Sequence, residues 1–70
     1  MNIKYTLHAQ GQMEERKIEP VWVEEAVQFP DKVRSEGYKF YATKKLNGKT
    51  IKVVFTKEKY INIITTFFIK

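Results

Sequence analysis

The dipeptide Asn47-Gly48 constrains the fold of this chain more than any other feature. Both residues tolerate the positive φ of a two-residue β-hairpin turn, and the flanking segments, 38–46 and 51–56, are rich in β-branched and aromatic residues and contain no proline. A turn of this length fixes the register of the two strands. It pairs Leu46 with Lys49, Lys44 with Ile51, Ala42 with Val53 and Phe40 with Phe55.

This register sorts the side chains of the hairpin onto two different faces. Side chains alternate along a strand, and residues paired directly across an antiparallel hairpin project on the same side of the sheet. One face is largely apolar and suits packing against helices, whereas the other is rich in lysine. The apolar face receives Tyr38, Phe40, Ala42, Ile51, Val53 and Phe55, and the opposite face receives Lys39, Tyr41, Thr43, Lys45, Lys52, Val54 and Thr56.

A third strand is predicted from Tyr60 to Phe68, after a turn near Lys57–Lys59. It contains no charged residue, glycine or proline, so it would be an aggregation hazard on an exposed edge. We therefore expect it to lie inside the sheet or under a partner chain. Its register is ambiguous by one residue, because apolar side chains occur on both of its faces.

Two helices are predicted ahead of the strands. Thr6 is an acceptable N-cap for a helix that runs to about Lys17. Pro20 suits the first position of a second helix, and Phe-Pro-Asp at 29–31 stops it. The sequence thus predicts two short helices joined by a tight turn.

Together these elements predict one α+β domain over residues 1–70, with two N-terminal helices packed on a three-stranded antiparallel sheet. Met1–Tyr5 is interpreted either as a frayed start or as a brief edge strand, which would make the sheet four-stranded. The charged segment around Ser35 is interpreted as a loop.

Charge is distributed unevenly along the chain. Residues 1–36 carry seven acidic and five basic side chains, a net charge of −2, whereas residues 37–70 carry eight lysines and one acid, a net charge of +7. Such a field favours a polyanionic partner, most simply RNA or DNA, or a strongly acidic protein. We predict that Lys39, Lys45 and Lys52 bind RNA or another anion; the alternative is a merely solvated sheet face.

Several kinds of chemistry are excluded by composition. The chain has no cysteine and one histidine, so we predict no metal site, and its three isolated glycines form no phosphate-binding loop, so we predict no cofactor. Its longest apolar run, Ile61–Ile69, is far shorter than the ~20 residues of a membrane-spanning helix. No signal peptide is visible. We expect a cytoplasmic protein that does not enter the membrane.

Metal-free acid–base chemistry is the catalysis that remains open to this chain. RNA cleavage demands least of a small protein, because the 2′-hydroxyl of the substrate is the nucleophile. We predict His8 and Tyr41 as proton-transfer groups, with Tyr38 as an alternative to Tyr41, and Arg16 as a phosphate anchor. The alternatives are a structural His8, an Arg16 bonded within its own helix, and a Tyr41 that stacks on a base or simply favours a strand.

The sequence resembles a known family, the domain of unknown function 4258. The resemblance rests on His8-Ala9, Met13, Glu15-Arg16 and Ile18, on Val-x-x-Ala-Val-x-x-Pro at 23–30, and on the strand segments 51–55 and 63–66. It departs from the family pattern where Gln12 replaces an arginine, Lys17 a glycine and Glu19 a serine or threonine cap.

That family is similar to the RelE/ParE and BrnT toxins of bacterial toxin–antitoxin pairs. The resemblance implies a RelE-like fold and cleavage of mRNA, free or ribosome-bound. It also implies an antitoxin protein that covers the toxin. His8 and Arg16 are the signature positions that carry over.

Three hypotheses of function follow from the sequence. The first is a toxin-like, metal-independent endoribonuclease whose lysine face holds RNA. The second is a non-catalytic domain of the same fold that uses this face to bind nucleic acid or an acidic protein. In the third, the uncharged last strand pairs with another copy, and the chain acts as a homo-oligomeric interaction module.

Overall fold

The predicted hairpin is confirmed in the computed structural model, which describes residues 2–69. Strands β3 (Lys39–Leu46) and β4 (Lys49–Lys57) pair antiparallel, with all four predicted residue pairs in place. Asn47 and Gly48 both adopt positive φ, 47° and 81°. A two-residue turn with this backbone matches the right-handed twist of the strands, which explains why the dipeptide fixes the register.

Both predicted helices are also confirmed. Helix α1 (Leu7–Arg16) begins at Thr6, whose hydroxyl accepts a hydrogen bond from the Ala9 N–H at 3.1 Å, and it ends at Lys17 in the left-handed conformation. Helix α2 (Pro20–Gln28) has proline at its first position and ends at Phe29. Capping and proline geometry therefore set these boundaries to within one residue of those expected.

The predicted sheet of three antiparallel strands is only part of the sheet observed. Within residues 2–69 the sheet has five strands in the order β1-β5-β4-β3-β2, and it is mixed. Strand β1 (Ile3–Tyr5) lies parallel to β5 (Ile61–Ile69), and the other neighbouring pairs are antiparallel. Of the predicted segment Met1–Tyr5, residues 3–5 form the edge strand, and Met1 lies outside the described residues.

Strand β2 (Lys32–Glu36) corrects the interpretation of the Ser35 segment as a loop. A two-residue turn at Gly37 and Tyr38, with Gly37 at φ 62°, joins β2 to β3. All five β2 residues are exposed, so the strand lacks the apolar alternation that marks a strand in sequence. Tyr38 was predicted on the apolar face, but it lies in this turn and is 74% exposed.

The last strand, β5, lies inside the sheet, as expected for its uncharged sequence. A β-bulge resolves its ambiguous register: Phe55 pairs with Ile63, whereas Val53 pairs with Thr66. Ile63 and Thr66 are three residues apart and would face opposite sides of a regular strand, yet both are fully buried. The extra residue at the bulge brings both onto the core side.

The core lies between the two helices and one face of the sheet. Helix α1 packs on β5 and β1, and α2 packs on β4 and β3. Because the predicted apolar face of the hairpin meets the helices, Ala42, Ile51, Val53 and Phe55 are buried and Phe40 is partly buried. The buried cluster consists of Ala9, Met13, Ile18, Val23, Ala26, Ala42, Ile51, Val53, Phe55 and Ile63.

Gln12 provides a hydrogen-bond acceptor to the edge of β5 that extends past the end of β1. Its side-chain oxygen accepts a hydrogen bond from the Thr66 N–H at 3.1 Å and a second from the Thr65 hydroxyl. Thr6 makes a similar contact one step earlier, donating from its hydroxyl to the Ile64 carbonyl at 3.2 Å. Side chains of α1 and its N-cap therefore form hydrogen bonds with the part of the β5 edge that β1 does not reach.

We predict that Gln12→Ala lowers the free energy of unfolding by about 1–3 kcal/mol, because a strand N–H loses its acceptor in a half-buried setting. Gln12→Glu keeps an oxygen at the same position and should lose less. Urea denaturation of the three proteins measures the difference, and equal stability of wild type and Gln12→Ala would contradict this role.

Tyr5 places a phenol hydroxyl in the interior without a hydrogen-bond partner among the described residues. Burial, and secondarily the negative charge of Glu24, raises the pKa of Tyr5 above its ordinary value of 10.0. The folded state therefore holds this proton more tightly than the unfolded state does. Its contribution to stability is complete below pH 10 and is lost as the pH rises through the folded pKa.

We predict that Tyr5→Phe leaves stability at pH 7 unchanged or raises it by about 1 kcal/mol, because it removes an unpaired buried hydroxyl. Above about pH 10 the variant should lose less stability than wild type does. Denaturation curves recorded from neutral to alkaline pH test both points. Parallel pH profiles for the two proteins would show that the Tyr5 proton is not linked to folding.

Candidate functional site

The sheet has a second face on which no helix within residues 2–69 packs; we refer to it as the helix-free face. Its members alternate with the core residues of each strand and follow from the strand register. It combines basic with aromatic and aliphatic side chains. Its charged members are Lys4, Lys32, Arg34, Glu36, Lys39, Lys45 and Lys52, and its largest apolar members are Tyr41, Val54, Phe67 and Ile69.

Tyr41 lies on this face on β3, next to the edge strand β2, and is flanked by two cations. Its direct partner on β2 is Arg34, whose guanidinium carbon lies 5.1 Å from the Tyr41 ring centroid. The Lys52 Nζ on β4 lies 5.7 Å from the same centroid. The half-buried ring lies in a shallow depression between β2 and β4. An aromatic surface is thus held beside two positive charges in one place.

The charge of the helix-free face remains available to a partner. Among its described residues it carries six cations and one carboxylate. That carboxylate, on Glu36, lies 3.8 Å from Arg34 Nη1, and both side chains are about two-thirds exposed. Exposed pairs of this kind are weak because water screens them. A phosphate can therefore compete for Arg34.

The structure places the three predicted anion-binding lysines on the helix-free face. Lys52 belongs to the Tyr41 cluster, whereas Lys39 and Lys45 lie at opposite ends of β3, about 20 Å apart. The structure adds Lys32 and Arg34 on β2, which sequence reasoning missed together with the strand. Two features of the sequence could have revealed β2: the alternation of charged residues before Gly37, and a second turn of hairpin length at Gly37 and Tyr38.

The three predicted catalytic residues are not brought together. His8 and Arg16 are exposed near opposite ends of α1, about 12 Å apart along its axis, in the helix layer. Tyr41 lies on the other side of the sheet, on β3, which is separated from β5 by β4. His8 and Tyr41 therefore cannot exchange a proton with the same phosphate in this arrangement. Their catalytic roles stay predictions.

Residues 2–69 contain no group of three or more His, Cys, Asp or Glu side chains placed to hold a metal ion. They also contain no helix that is long and apolar enough to cross a membrane.

Comparison with known proteins identifies a family. No curated protein matches the chain. No solved structure matches it either. The model of one family, described as Domain of unknown function (DUF4258), matches residues 5–68, which span both helices and almost the whole sheet. The chain therefore belongs to the DUF4258 family, as its His-Ala and Glu-Arg signature predicted.

Proposed function

We propose that this domain binds single-stranded RNA through its helix-free face. One observation carries the proposal: the Tyr41 ring lies between Arg34 and Lys52 on a basic sheet surface. Proteins that bind single strands combine aromatic rings, on which bases stack, with cations that contact the backbone. Both elements occur here within about 6 Å of one another.

The dimensions of the face also suit a single strand. Five strands with a spacing of about 4.8 Å give a surface about 19 Å wide between the outer strands. Cations are present on β1, β2, β3 and β4, so a backbone that crosses the strands meets positive charge along most of its path. Bases within a duplex are stacked on one another and do not reach Tyr41, which favours a single strand over a duplex.

We predict that Tyr41→Leu weakens binding of a single-stranded RNA of about ten nucleotides by about 5- to 150-fold, because one stacked base is lost. The dependence of affinity on salt should stay unchanged, since no charge is removed. Fluorescence anisotropy with labelled RNA at several salt concentrations measures both quantities. An affinity that does not respond to this substitution would exclude Tyr41 as a stacking platform.

Removal of a phosphate-binding cation should have the complementary effect. Lys52→Gln should weaken RNA binding and lower the slope of log affinity against log salt by about 0.7, the value for one phosphate contact on a single strand. Lys57→Gln is the matched control, because Lys57 is an exposed lysine of the same strand, β4, on the helix side, with its Nζ 5.1 Å from the Phe40 centroid. Equal losses in the two variants would indicate only a general effect of net charge.

A second candidate function is toxin-like cleavage of the bound RNA, the activity implied by the similarity to RelE/ParE and BrnT toxins. It is favoured by the exposure of His8 and Arg16 on α1. Lys4, exposed on β1, lies on the helix-free face beside the edge that α1 covers. A strand bound on the sheet can pass Lys4 and turn over this edge toward His8. An antitoxin would then be an acidic protein that covers the basic face.

We predict that expression of the wild-type chain in a bacterial host arrests growth and depletes RNA, and that His8→Ala/Arg16→Ala abolishes both effects. The double variant should keep the RNA binding that depends on Tyr41, because the substituted residues lie outside the Tyr41 cluster. Growth curves and RNA profiles at matched levels of soluble protein provide the measurement. Intact RNA with the wild-type protein would overturn cleavage and leave RNA binding as the function.

A further inference from the structure

A small cavity lies at the hairpin end of the domain, where the Asn47-Gly48 turn approaches α2 and the end of β5. It has a volume of about 160 Å³ and is lined by Trp22, Leu46, Asn47, Lys49 and Phe68. The rings of Trp22 and Phe68 are tilted by 56° with centroids 6.1 Å apart. The lining is thus mainly aromatic and apolar, with one amide and one ammonium group.

Lys49 supplies a positive charge to this cavity. Its Nζ lies 5.0 Å from the Phe68 ring centroid, and within residues 2–69 it forms no ion pair with a carboxylate. The side chain is exposed, so its charge can reach an anion at the opening of the cavity. An aromatic cavity beside an available cation suits a ligand that joins a flat ring to a phosphate.

The volume of the cavity limits the size of that ring. A protein cavity of about 150 Å³ holds one benzene ring. This cavity, about 160 Å³ and open on one side, therefore matches one six-membered ring in size better than the fused rings of a purine. The Asn47 side-chain amide offers both a donor and an acceptor to the polar edge of such a ring.

We propose that this cavity binds one pyrimidine base of an RNA strand, with the adjacent phosphate on Lys49. The inference rests on the proposed RNA binding and adds a preference for uracil or cytosine at one position. It gives Trp22 a role beyond packing.

The cavity is continuous with the helix-free face. A second depression, lined by Gly48, Lys49, Phe68 and Ile69, shares two residues with it. Ile69 pairs with Thr50 on the helix-free side of the sheet. Lys49 and Lys52 lie on opposite faces of β4 with their Cα atoms about 10 Å apart, so a strand that leaves Lys52 can reach Lys49 by turning over the end of the sheet.

Charge favours RNA over a protein side chain as the occupant. No acidic residue occurs between Gly37 and Lys57, and Lys45, Lys49 and Lys52 all lie on the two strands next to the turn. A phosphate backbone brings a negative charge next to every base, whereas an aromatic residue of a protein does not. Comparison of phenylalanine amide with uridine monophosphate distinguishes a protein side chain from a base.

The test uses the intrinsic fluorescence of Trp22, the only tryptophan of the chain, in the full-length protein. Uridine and cytidine 5′-monophosphate should change its emission saturably, and adenosine 5′-monophosphate should bind at least about ten-fold more weakly. Lys49→Gln should weaken binding of uridine monophosphate about ten-fold, because a charge-assisted contact to phosphate is lost, and should leave binding of the uridine nucleoside unchanged.

Lys57→Gln is the matched control, because it removes the same charge from the same face of β4, at the opposite end of the strand from Lys49. Equal effects of both substitutions, equal binding of adenosine and uridine monophosphates, or the same response to inorganic phosphate alone would each overturn the proposal. Tighter binding of phenylalanine amide than of uridine monophosphate would overturn it in favour of a protein side chain.

RNA binding that depends on Tyr41, without any nucleotide signal at Trp22, would reject the cavity and retain the proposed function. A pyrimidine signal at Trp22 that depends on Lys49, without RNA binding at Tyr41, would retain the cavity and reject the proposed function of the helix-free face.

Discussion

The register of the β3–β4 hairpin is the constraint on which the rest of the structure depends. The Asn47-Gly48 turn directs Ile51, Val53 and Phe55 toward the helices and leaves Lys52 on the opposite side. A slip of one residue would bury lysines and expose the apolar side chains of the core, so the core and the basic face are two consequences of one turn. The same turn also forms one wall of the Trp22 cavity.

The hairpin, both helices, the interior position of β5 and the family could be predicted because each depends on local signals. Turn chemistry, an N-cap, a proline and an uncharged run of residues act over a few positions. The outer strands carry weaker local signals: residues 1–5 fit either a frayed start or an edge strand, and the β2 segment fits a loop. Strand β2 is exposed on every residue, and β1 has three residues whose pairing with β5 bridges almost the whole length of the chain. Such strands are stabilised by the sheet that they join, so their own sequences carry little signal.

The candidate site was predictable to a similar extent. The three lysines follow from the hairpin register, whereas Arg34 requires β2 to be recognised first. His8 and Tyr41 are separated because α1 packs on the side of the sheet opposite Tyr41. The alternation of side chains along a strand does not determine on which side a helix packs. The cavity joins Trp22 of α2 to Phe68 of β5, and only the packing of α2 on the sheet brings those residues together.

The two faces of the sheet separate the side chains of the core from those of the proposed RNA-binding surface. Most of the buried apolar residues lie on the helix side, so lysines on the helix-free face can change without loss of core packing. Val54 is an exception, because it is buried on the helix-free side, as is the polar residue Thr56. Regular strands hold Tyr41 and the cations of this face in place, so the proposed RNA binding would require little reordering of the chain. Pre-organisation of this kind lowers the entropic cost of binding.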